Sequence, residues 1–458
     1  MAIRRWVNQC WVTINHDDLE IERRQCQDEG LDITALLCEF DDLKTADMAL
    51  YAHQQRADAL LDAVQTQPRV AGYPYIEPSD LEEIRAARPA MPALPADLLD
   101  EDTLRDKVLG AWQGRVSGCL LGKPVEGRRS YDMRAYLEAQ GRWPLNNYFS
   151  LDASPEMIER MGWVGWDPSI FAGGITRMVE DDDTNYTTTG LAIVKQYGAD
   201  FTPDHVAGFW LSNIPFYHLC TAERIAYRNL VATIAPPDSA RYRNVYREWI
   251  GAQIRADFFG YVNPGNPERA AAFAWRDASI SHIKNGIYGE MWVAAMLAAA
   301  YVLNDAAAVI RAGLAQVPAH SRLAEGIHRI LELHAAGTSY DAVVADVQSR
   351  WDEANGYDWC HTISNAEIVA LALLWGELDF ERTIGASVMP GFATDCNGAT
   401  TGSVLGVLLG ARQLPAKWIA PLNDTLLTGV AGYHEVSLTH MAEETISLIK
   451  KIIPAPEY

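Results

Sequence analysis

The chain has 458 residues, 49% of them hydrophobic, and a formal net charge of -22 at pH 7. Its length exceeds the usual range of a single domain, so one large domain with a smaller segment is expected. Nucleic acids and anionic membranes are bound by clustered Lys and Arg, and the strong negative charge argues against both kinds of partner.

The N-terminal stretch and the cysteines favour a cytoplasmic protein. MAIRRWVNQCWVTINHDD, at the start, contains no apolar run of signal-peptide length. The longest apolar stretch, residues 291–303, is too short to span a bilayer and predicts a buried helix. The seven cysteines form no CxxC pair and are odd in number, which is typical of a reducing compartment.

Residues 1 to about 87 are charged and mostly helical in pattern. Ser79 and Glu82 have the spacing of a capping box. Pro89, Pro92 and Pro95 then predict a stiff linker. We therefore expect a helical extension with its linker over residues 1–95 and a main domain over residues 96–458. The extension fits either a solvated cap or a device for partner binding or oligomerisation, and the sequence leaves the oligomeric state open.

The main domain is predicted to be all-α. Ala- and Leu-rich stretches with helical spacing follow one another, whereas alternating strand patterns are scarce. The stretches cover residues 104–121, 186–198, 289–303, 319–336, 364–377 and 398–412. A Trp- and Gly-rich tract at residues 161–175 predicts a loop, and loops of this length usually carry function.

Glycine recurs every fourth residue in two of these helices. One ladder covers residues 110–122 and the other residues 398–410. Glycine costs a helix about 1 kcal/mol relative to Ala, so each ladder needs a compensating contact. A face without side chains allows another helix to approach closely. If the two helices are antiparallel, Glu126 and Asp395 meet at one end, although packing alone also explains the glycines.

Four consecutive carboxylates, Glu180, Asp181, Asp182 and Asp183, precede another helical stretch. Helix capping explains one or two acids at a helix start. It does not explain four, because neighbouring charges repel by roughly 4 kcal/mol near a protein surface. Hard cations such as Mg²⁺ or Mn²⁺ bind clustered oxygen ligands, so the run indicates a metal site.

Several ordered motifs resemble the ADP-ribosylglycohydrolase family. They are GKPVEG at 122–127, DDDT at 181–184, SHIKNGIYG at 281–289 and TDCNGATTGSVLGVLLGA at 394–411. The resemblance extends over roughly residues 100–412 and implies a compact all-α domain. It also implies a central cleft with two Mg²⁺ or Mn²⁺ ions.

The resemblance implies a metal-ligand set of five residues: Asp181, Asp182, Asp183, Asp395 and Cys396. Asp181 falls where the family usually has Thr, and Cys396 replaces a Thr or Ser. Ala393 stands where another Asp is expected, and a methyl group cannot coordinate an ion. One ion of the pair is therefore expected to be weakened or lost.

Family chemistry implies that the ions hold the vicinal hydroxyls of a ribose while water attacks C1. A carboxylate must take the proton of that water. Glu126 is the first candidate for this base, with Asp181 and Asp183 behind it.

Two further segments resemble the parts of the family that line the substrate cleft. The candidate contacts to ribose, phosphate or base are His282, Asn285, Gly286 and Tyr288. A buried core role is an equal alternative for His282, and it is the commoner role for an aromatic such as Tyr288. Gly251 matches a glycine whose backbone approaches the substrate phosphates. Ile250 occupies an expected Asn position, which weakens the case for a diphosphate.

The resemblance thus implies a divalent-metal-dependent glycohydrolase acting on an ADP-ribosyl or related ribosyl substrate. An ADP-ribosylated protein and a small riboside remain alternative substrates. Because of Ala393, a catalytically silent protein that binds a ribosyl ligand is a further alternative.

Overall fold

The computed structural model of the protein describes residues 11–91, 94–95 and 99–452. These residues form an almost entirely helical fold, which confirms the predicted fold class. Pro92 of the predicted linker lies outside the described residues. The helices of the N-terminal extension are α1 (His16–Asp28), α2 (Leu37–Lys44), α3 (Tyr51–Val64) and α4 (Leu81–Ala87).

The main domain supplies the remaining helices and a short β-ladder. Its helices are α5 (Glu101–Gly122), α6 (Ser130–Ala139), α7 (Pro155–Arg160), α8 (Asp182–Tyr197), α9 (Pro203–Asn213), α10 (Thr221–Val231), α11 (Asp238–Arg241), α12 (Asp257–Tyr261), α13 (Pro267–Ala278), α14 (Lys284–Ala300), α15 (Ala306–Leu314), α16 (Arg322–Ala335), α17 (Tyr340–Arg350), α18 (Thr362–Trp375), α19 (Phe380–Val388), α20 (Thr394–Leu409), α21 (Ala416–Ile419) and α22 (Leu438–Ile452). Strands β1 (Thr425–Leu427) and β2 (Glu435–Ser437) pair antiparallel.

Short 3₁₀ turns connect several of these elements. They are Thr34–Leu36, Lys123–Val125, Pro168–Ile170, Phe216–His218, Gln253–Arg255, Asp358–Cys360, Ala411–Gln413 and Ala420–Leu422. The turn Lys123–Val125 follows α5 directly and carries the chain to Glu126.

Helices α5 and α20 pack against each other through their glycine ladders. A Cβ on Gly110 would overlap the carbonyl oxygen of Gly406, and one on Gly122 would overlap that of Thr394. Because the partner numbers fall as the α5 numbers rise, the two helices are antiparallel. Thr394 Oγ1 donates to the carbonyl oxygen of Gly122 at 2.9 Å and ties the C-terminal end of α5 to the N-terminal end of α20.

Helix α14 lies in the interior, and every one of its residues is buried. It packs against α12, α13 and α15, which confirms the buried helix expected from the apolar stretch 291–303. Within the described parts of the chain, no helix has both the length and the apolar character needed to cross a bilayer.

The N-terminal extension is joined to the main domain by buried ion pairs. Arg247 binds Glu22 at 2.6 Å and Glu29 at 2.7 Å, and Glu29 also pairs with Lys284. Glu77 accepts hydrogen bonds from the side chains of Asn285 and Arg322. The extension therefore covers the N-terminal end of α14, while the domain boundary at residue 95 stays a prediction.

The predicted capping box at Ser79 and Glu82 is wrong. Asp80 is the N-cap of α4, and its side chain accepts from the backbone N–H groups of Glu82 and Glu83 at 2.9 and 3.1 Å. Ser79 Oγ instead accepts from the backbone N–H of Lys284 at 3.1 Å. A tertiary contact to the main domain thus replaces the local contact that the spacing suggested.

Candidate metal centre

The four acids from Glu180 to Asp183 have different roles at the start of α8. Asp181 is the N-cap, and its side chain accepts from the backbone N–H of Asp183 at 3.0 Å. Asp182 and Asp183 occupy the first turn of the helix. Glu180 turns away to His218 and Asn185. Capping therefore accounts for Asp181, whereas Asp182 and Asp183 need another explanation.

The start of α20 brings a second set of ligands to the same place. Asp395 lies in its first turn and accepts from the backbone N–H of Cys396 at 2.9 Å. Ala393 is the N-cap of this helix and offers no side-chain hydrogen bond. The glycine contact between α5 and α20 fixes the position of the first turn of α20, which carries Asp395 and Cys396.

Two overlapping ligand triads result from this arrangement. The potential ligand atoms of Asp183, Asp395 and Cys396 all lie within 4.8 Å of one another, and so do those of Cys119, Asp181 and Asp183. All five residues are buried. The triads share Asp183, whose Oδ2 is buried without a hydrogen-bond partner. A buried, unpartnered carboxylate oxygen is costly unless a cation binds it, so the carboxylates of these triads fit a hard divalent ion.

Two positively charged side chains, those of Lys123 and Arg115, neutralise part of the negative charge of the cluster. Lys123 Nζ lies 2.6 Å from Asp181 Oδ2. Arg115 is fully buried and binds Asp183 at 3.0 Å and Asp257 at 2.8 Å. Arg115 also donates to Thr187 Oγ1 at 2.6 Å. Removing either cation would leave a buried carboxylate without its partner.

The carboxyl pKa values reflect burial and mutual repulsion. Burial and then the charge of Asp181 raise the pKa of Asp395 to about 6. Burial, Asp181 and Asp395 raise the pKa of Asp182 to about 8. Burial also raises the pKa of Asp183, against the opposing effect of Arg115. For Asp181, burial is outweighed by Lys123 and by hydrogen bonds, and its pKa is lowered.

Glu126 stands at the edge of this cluster; the residue as a whole is exposed, but its carboxyl group is enclosed beside the other acids. Its carboxyl pKa is raised well above the usual range, chiefly by the charge of Asp395, then by burial, and then by Asp182 and Asp181. A raised pKa makes an ionised carboxylate a stronger base, so Glu126 is a suitable acceptor for a proton from water once positive charge within the cluster keeps it ionised.

The comparison with known protein families decides the family. The sequence model of the ADP-ribosylglycohydrolase family matches residues 100–449. This chain belongs to the ADP-ribosylglycohydrolase family. A solved structure of an ADP-ribosylglycohydrolase-related protein complex is similar at a TM-score of 0.47 and 17% identity, covering 77% of this chain and 100% of that chain. A search of curated proteins found no match.

The candidate substrate residues on α14 of this ADP-ribosylglycohydrolase family member lie against the N-terminal extension. Asn285 donates to Glu77 at 2.8 Å and accepts from the backbone N–H of Leu323 at 3.0 Å. Tyr288 donates its hydroxyl to the carbonyl oxygen of Pro78. Their polar groups are therefore satisfied inside the protein, and a role in substrate contact stays a prediction.

Gly286 and His282 are also buried. A Cβ on Gly286 would press on the carbonyl oxygen of Arg247 and on the His282 ring, so glycine is needed for this packing. Burial and then Arg255 lower the pKa of His282, which keeps its imidazole neutral. His282 borders a cavity of about 740 Å³ beneath the N-terminal extension, lined also by Glu29 and Lys284. The metal-ligand triads do not line this cavity.

Gly251 packs against a buried ionic network. A Cβ there would overlap the carboxylate of Glu223. Arg255 binds Glu223 at 2.7 Å and Asp277 at 2.8 Å, with Glu290 at 3.6 Å. Arg255 is 1% exposed and is thus committed to these carboxylates. After burial, Asp181 and Asp395, the charge of Glu223 also raises the pKa of Asp182, so the network acts electrostatically on the acidic cluster.

Sequence reasoning missed three residues of the centre: Arg115, Cys119 and Lys123. All three belong to the segment of α5 and its C-cap, where polar residues interrupt a small and apolar helix. Polar residues within an otherwise apolar helix are the sequence signal that could have marked these three residues as functional. The signal does not identify their partners, because Asp181 and Asp183 lie far from them in the sequence.

Proposed function

We propose that this protein is a Mg²⁺- or Mn²⁺-dependent hydrolase that cleaves the C1 glycosidic bond of an ADP-ribosyl or related ribosyl substrate. The observation that carries the proposal is the meeting of Asp183, Asp395 and Cys396 around a buried, unpartnered carboxylate oxygen. These groups come from α8 and α20, which are far apart in sequence. Membership of the glycohydrolase family gives the class of reaction.

The residues that would hold the metal are Asp183, Asp395 and Cys396, with Asp181 and Asp182 beside them. When bound, a dication supplies positive charge that orients the hydroxyls of a ribose. The protein's own part is to fix these acids, since the antiparallel packing of α5 and α20 and the Arg115 ion pair restrict their movement.

The proposed reaction breaks the bond between C1 and its substituent and forms a bond from C1 to the oxygen of water. The leaving group departs with the bonding electron pair, and positive charge develops on the sugar ring. Buried carboxylates nearby stabilise that charge. Glu126 in its carboxylate form takes the proton of the attacking water, since it is the acid at the exposed edge of the cluster.

One observation favours a small riboside over a diphosphate-bearing substrate. Arg255 belongs to the segment 249–260, which resembles a family stretch whose backbone approaches the substrate phosphates, and its own guanidinium is buried and paired with three carboxylates. A guanidinium held in this way would have to leave its partners to bind phosphate. Ile250, which occupies the expected Asn position of the same segment, is apolar and buried. A small riboside is therefore the leading substrate class, with ADP-ribosylated protein as the alternative.

A second candidate function rests on Ala393. This residue is 1% exposed at the N-cap of α20, next to Asp395, and offers no ligand atom. A centre lacking that ligand supports a protein that binds a ribosyl compound without cleaving it.

A substrate panel with and without metal tests the two candidates. Metal-free protein is given Mg²⁺ or Mn²⁺ and assayed for sugar release from small ribosides and from peptides ADP-ribosylated on Arg or Ser. Metal-dependent release, reduced about 10²- to 10⁴-fold by Glu126→Gln, supports the hydrolase. Glu159→Gln, which changes an exposed carboxylate elsewhere, is the matched control. Metal-dependent ligand binding without release supports the silent protein.

A further inference from the structure

We propose that Lys123 is a built-in counterion that takes the place of one divalent cation, so that this centre holds a single dication at Asp183, Asp395 and Cys396. The inference rests on the metal dependence proposed above but not on hydrolysis. It concerns how many ions the chain binds, and that number can be measured without any substrate.

The ammonium of Lys123 pairs with one member of one of the two ligand triads. Its Nζ lies 2.6 Å from Asp181 Oδ2, and the side chain of Asp181 is 1% exposed. Asp181 is a member of the triad formed with Cys119 and Asp183. A dication bound there would have to displace an ammonium from its salt bridge with a buried carboxylate, which is a strong interaction.

Lys123 stands at the junction of the helices that carry the acids. It is the C-cap of α5, one residue after Gly122, and Thr394 Oγ1 donates to the carbonyl oxygen of Gly122. Asp395 follows Thr394 in the first turn of α20. A positive charge anchored at this junction has the electrostatic role that a second cation would otherwise have.

The other triad remains available for an ion. Of the Asp183 oxygens, Oδ1 accepts from Arg115 at 3.0 Å, while Oδ2 is buried without a hydrogen-bond partner. Oδ2 is the atom that a dication would satisfy together with Asp395 and Cys396. Arg115 binds the shared Asp183 and so serves both triads equally, and the triads differ in their other acid. Asp181 has the Lys123 ammonium, whereas no ion pair of Asp395 is found among the described residues.

Ala393 is consistent with the same conclusion but does not require it. A missing ligand alone would also weaken one ion. The two explanations differ for Ala393→Asp, which restores a carboxylate and keeps Lys123. If Lys123 fills the second position, Ala393→Asp should still bind one ion.

Counting bound Mn²⁺ by equilibrium dialysis and electron paramagnetic resonance tests the inference. The variants are Lys123→Met, the charge-preserving control Lys123→Arg, Ala393→Asp and the double change Lys123→Met with Ala393→Asp. We expect one ion per chain in the unchanged protein, in Lys123→Arg and in Ala393→Asp. We expect two in the double variant and a second, weaker ion in Lys123→Met.

Two ions in the unchanged protein or in Ala393→Asp would overturn the inference while leaving the proposed function intact. A single ion in both variants that carry Lys123→Met would overturn it as well. No bound ion in any variant would refute the proposed metal dependence and the inference together. If Lys123→Met does not fold, the counts in the unchanged protein and in Ala393→Asp still decide, since one ion in each supports the inference.

Discussion

Gly118 of α5 lies directly against the backbone of Gly398 of α20, and a Cβ on either residue would overlap the carbonyl oxygen of the other. Gly398 is the first glycine of its ladder and follows Asp395 by three residues. The candidate metal centre therefore depends on two helices whose backbones have no room for a methyl group at this contact.

Gly118→Ala should therefore destabilise the protein and displace Asp395. Replacing Gly by Ala in a helix gains about 1 kcal/mol of helix propensity. Overpacking a closely packed interior costs about 1–3 kcal/mol, and this cost dominates where the backbone cannot move to make room. We expect a lower free energy of unfolding in urea and weaker Mn²⁺ binding. Gly208→Ala in α9 is the control, since nothing lies within 4 Å of its added Cβ. Equal stability of both variants would contradict the account.

The central helices were predictable because the signal is local. A glycine at every fourth residue marks a helix face, and the packing of that face follows from the cost of glycine in a helix. The acids at Asp183 and Asp395 were predictable as candidate ligands from family motifs. Their convergence depends on the antiparallel packing, for which the two ladders gave the only indication in the sequence.

The contacts that the sequence did not predict are those between segments that are distant in the chain. Lys123 and Asp181 form an ion pair although they are 58 positions apart in the chain. Ser79 had the spacing of a cap, but it contacts the backbone of Lys284 instead. In both cases the partner is set by tertiary packing, and local spacing carries no information about it.

Glu77→Gln should loosen the N-terminal extension. Glu77 is 3% exposed and accepts hydrogen bonds from Asn285 and Arg322. In the variant, Glu248 is the one carboxylate partner that Arg322 keeps among the described residues. Breaking a buried ion pair costs about 3 kcal/mol. Urea unfolding should show this loss, whereas Glu83→Gln, an exposed acid of the same segment, should change stability little. A loss below about 0.5 kcal/mol for Glu77→Gln would refute the structural role given to this residue.

The stability of metal-free protein should depend on Asp395 through pH. Its folded pKa of about 6 is above its ordinary value of 3.8, so the folded state binds the proton more tightly than the unfolded state. The stabilising effect of that proton is present below the ordinary pKa and is lost as pH rises through about 6. Asp395→Asn removes this dependence and can still accept from the backbone of Cys396. The difference in melting temperature, variant minus unchanged protein, should therefore increase from pH 4 to pH 8.

A melting-temperature difference that stays constant over this pH range would contradict the burial and repulsion assigned to Asp395. Added Mn²⁺ should reverse the trend in the unchanged protein, because protons and metal compete for the same carboxylates. The reversal should be absent in Asp395→Asn.

Ala393→Asp should tighten metal binding. The new carboxylate would stand at the N-cap of α20, and a carboxylate beside a dication is worth a few kcal/mol at the dielectric of a protein surface. We expect the Mn²⁺ dissociation constant from calorimetry to fall by about tenfold or more. Sugar release should rise with it if the protein is a hydrolase. Ala393→Asn, which adds a neutral side chain of the same size, separates charge from bulk and should tighten binding less.

The most direct test of the metal centre is the anomalous scattering of a crystal grown with Mn²⁺. The account predicts anomalous density within bonding distance of Asp183, Asp395 and Cys396, with Lys123 still on Asp181. A crystal in which these acids contact solvent or other side chains, with no anomalous density among them at saturating Mn²⁺, would contradict it.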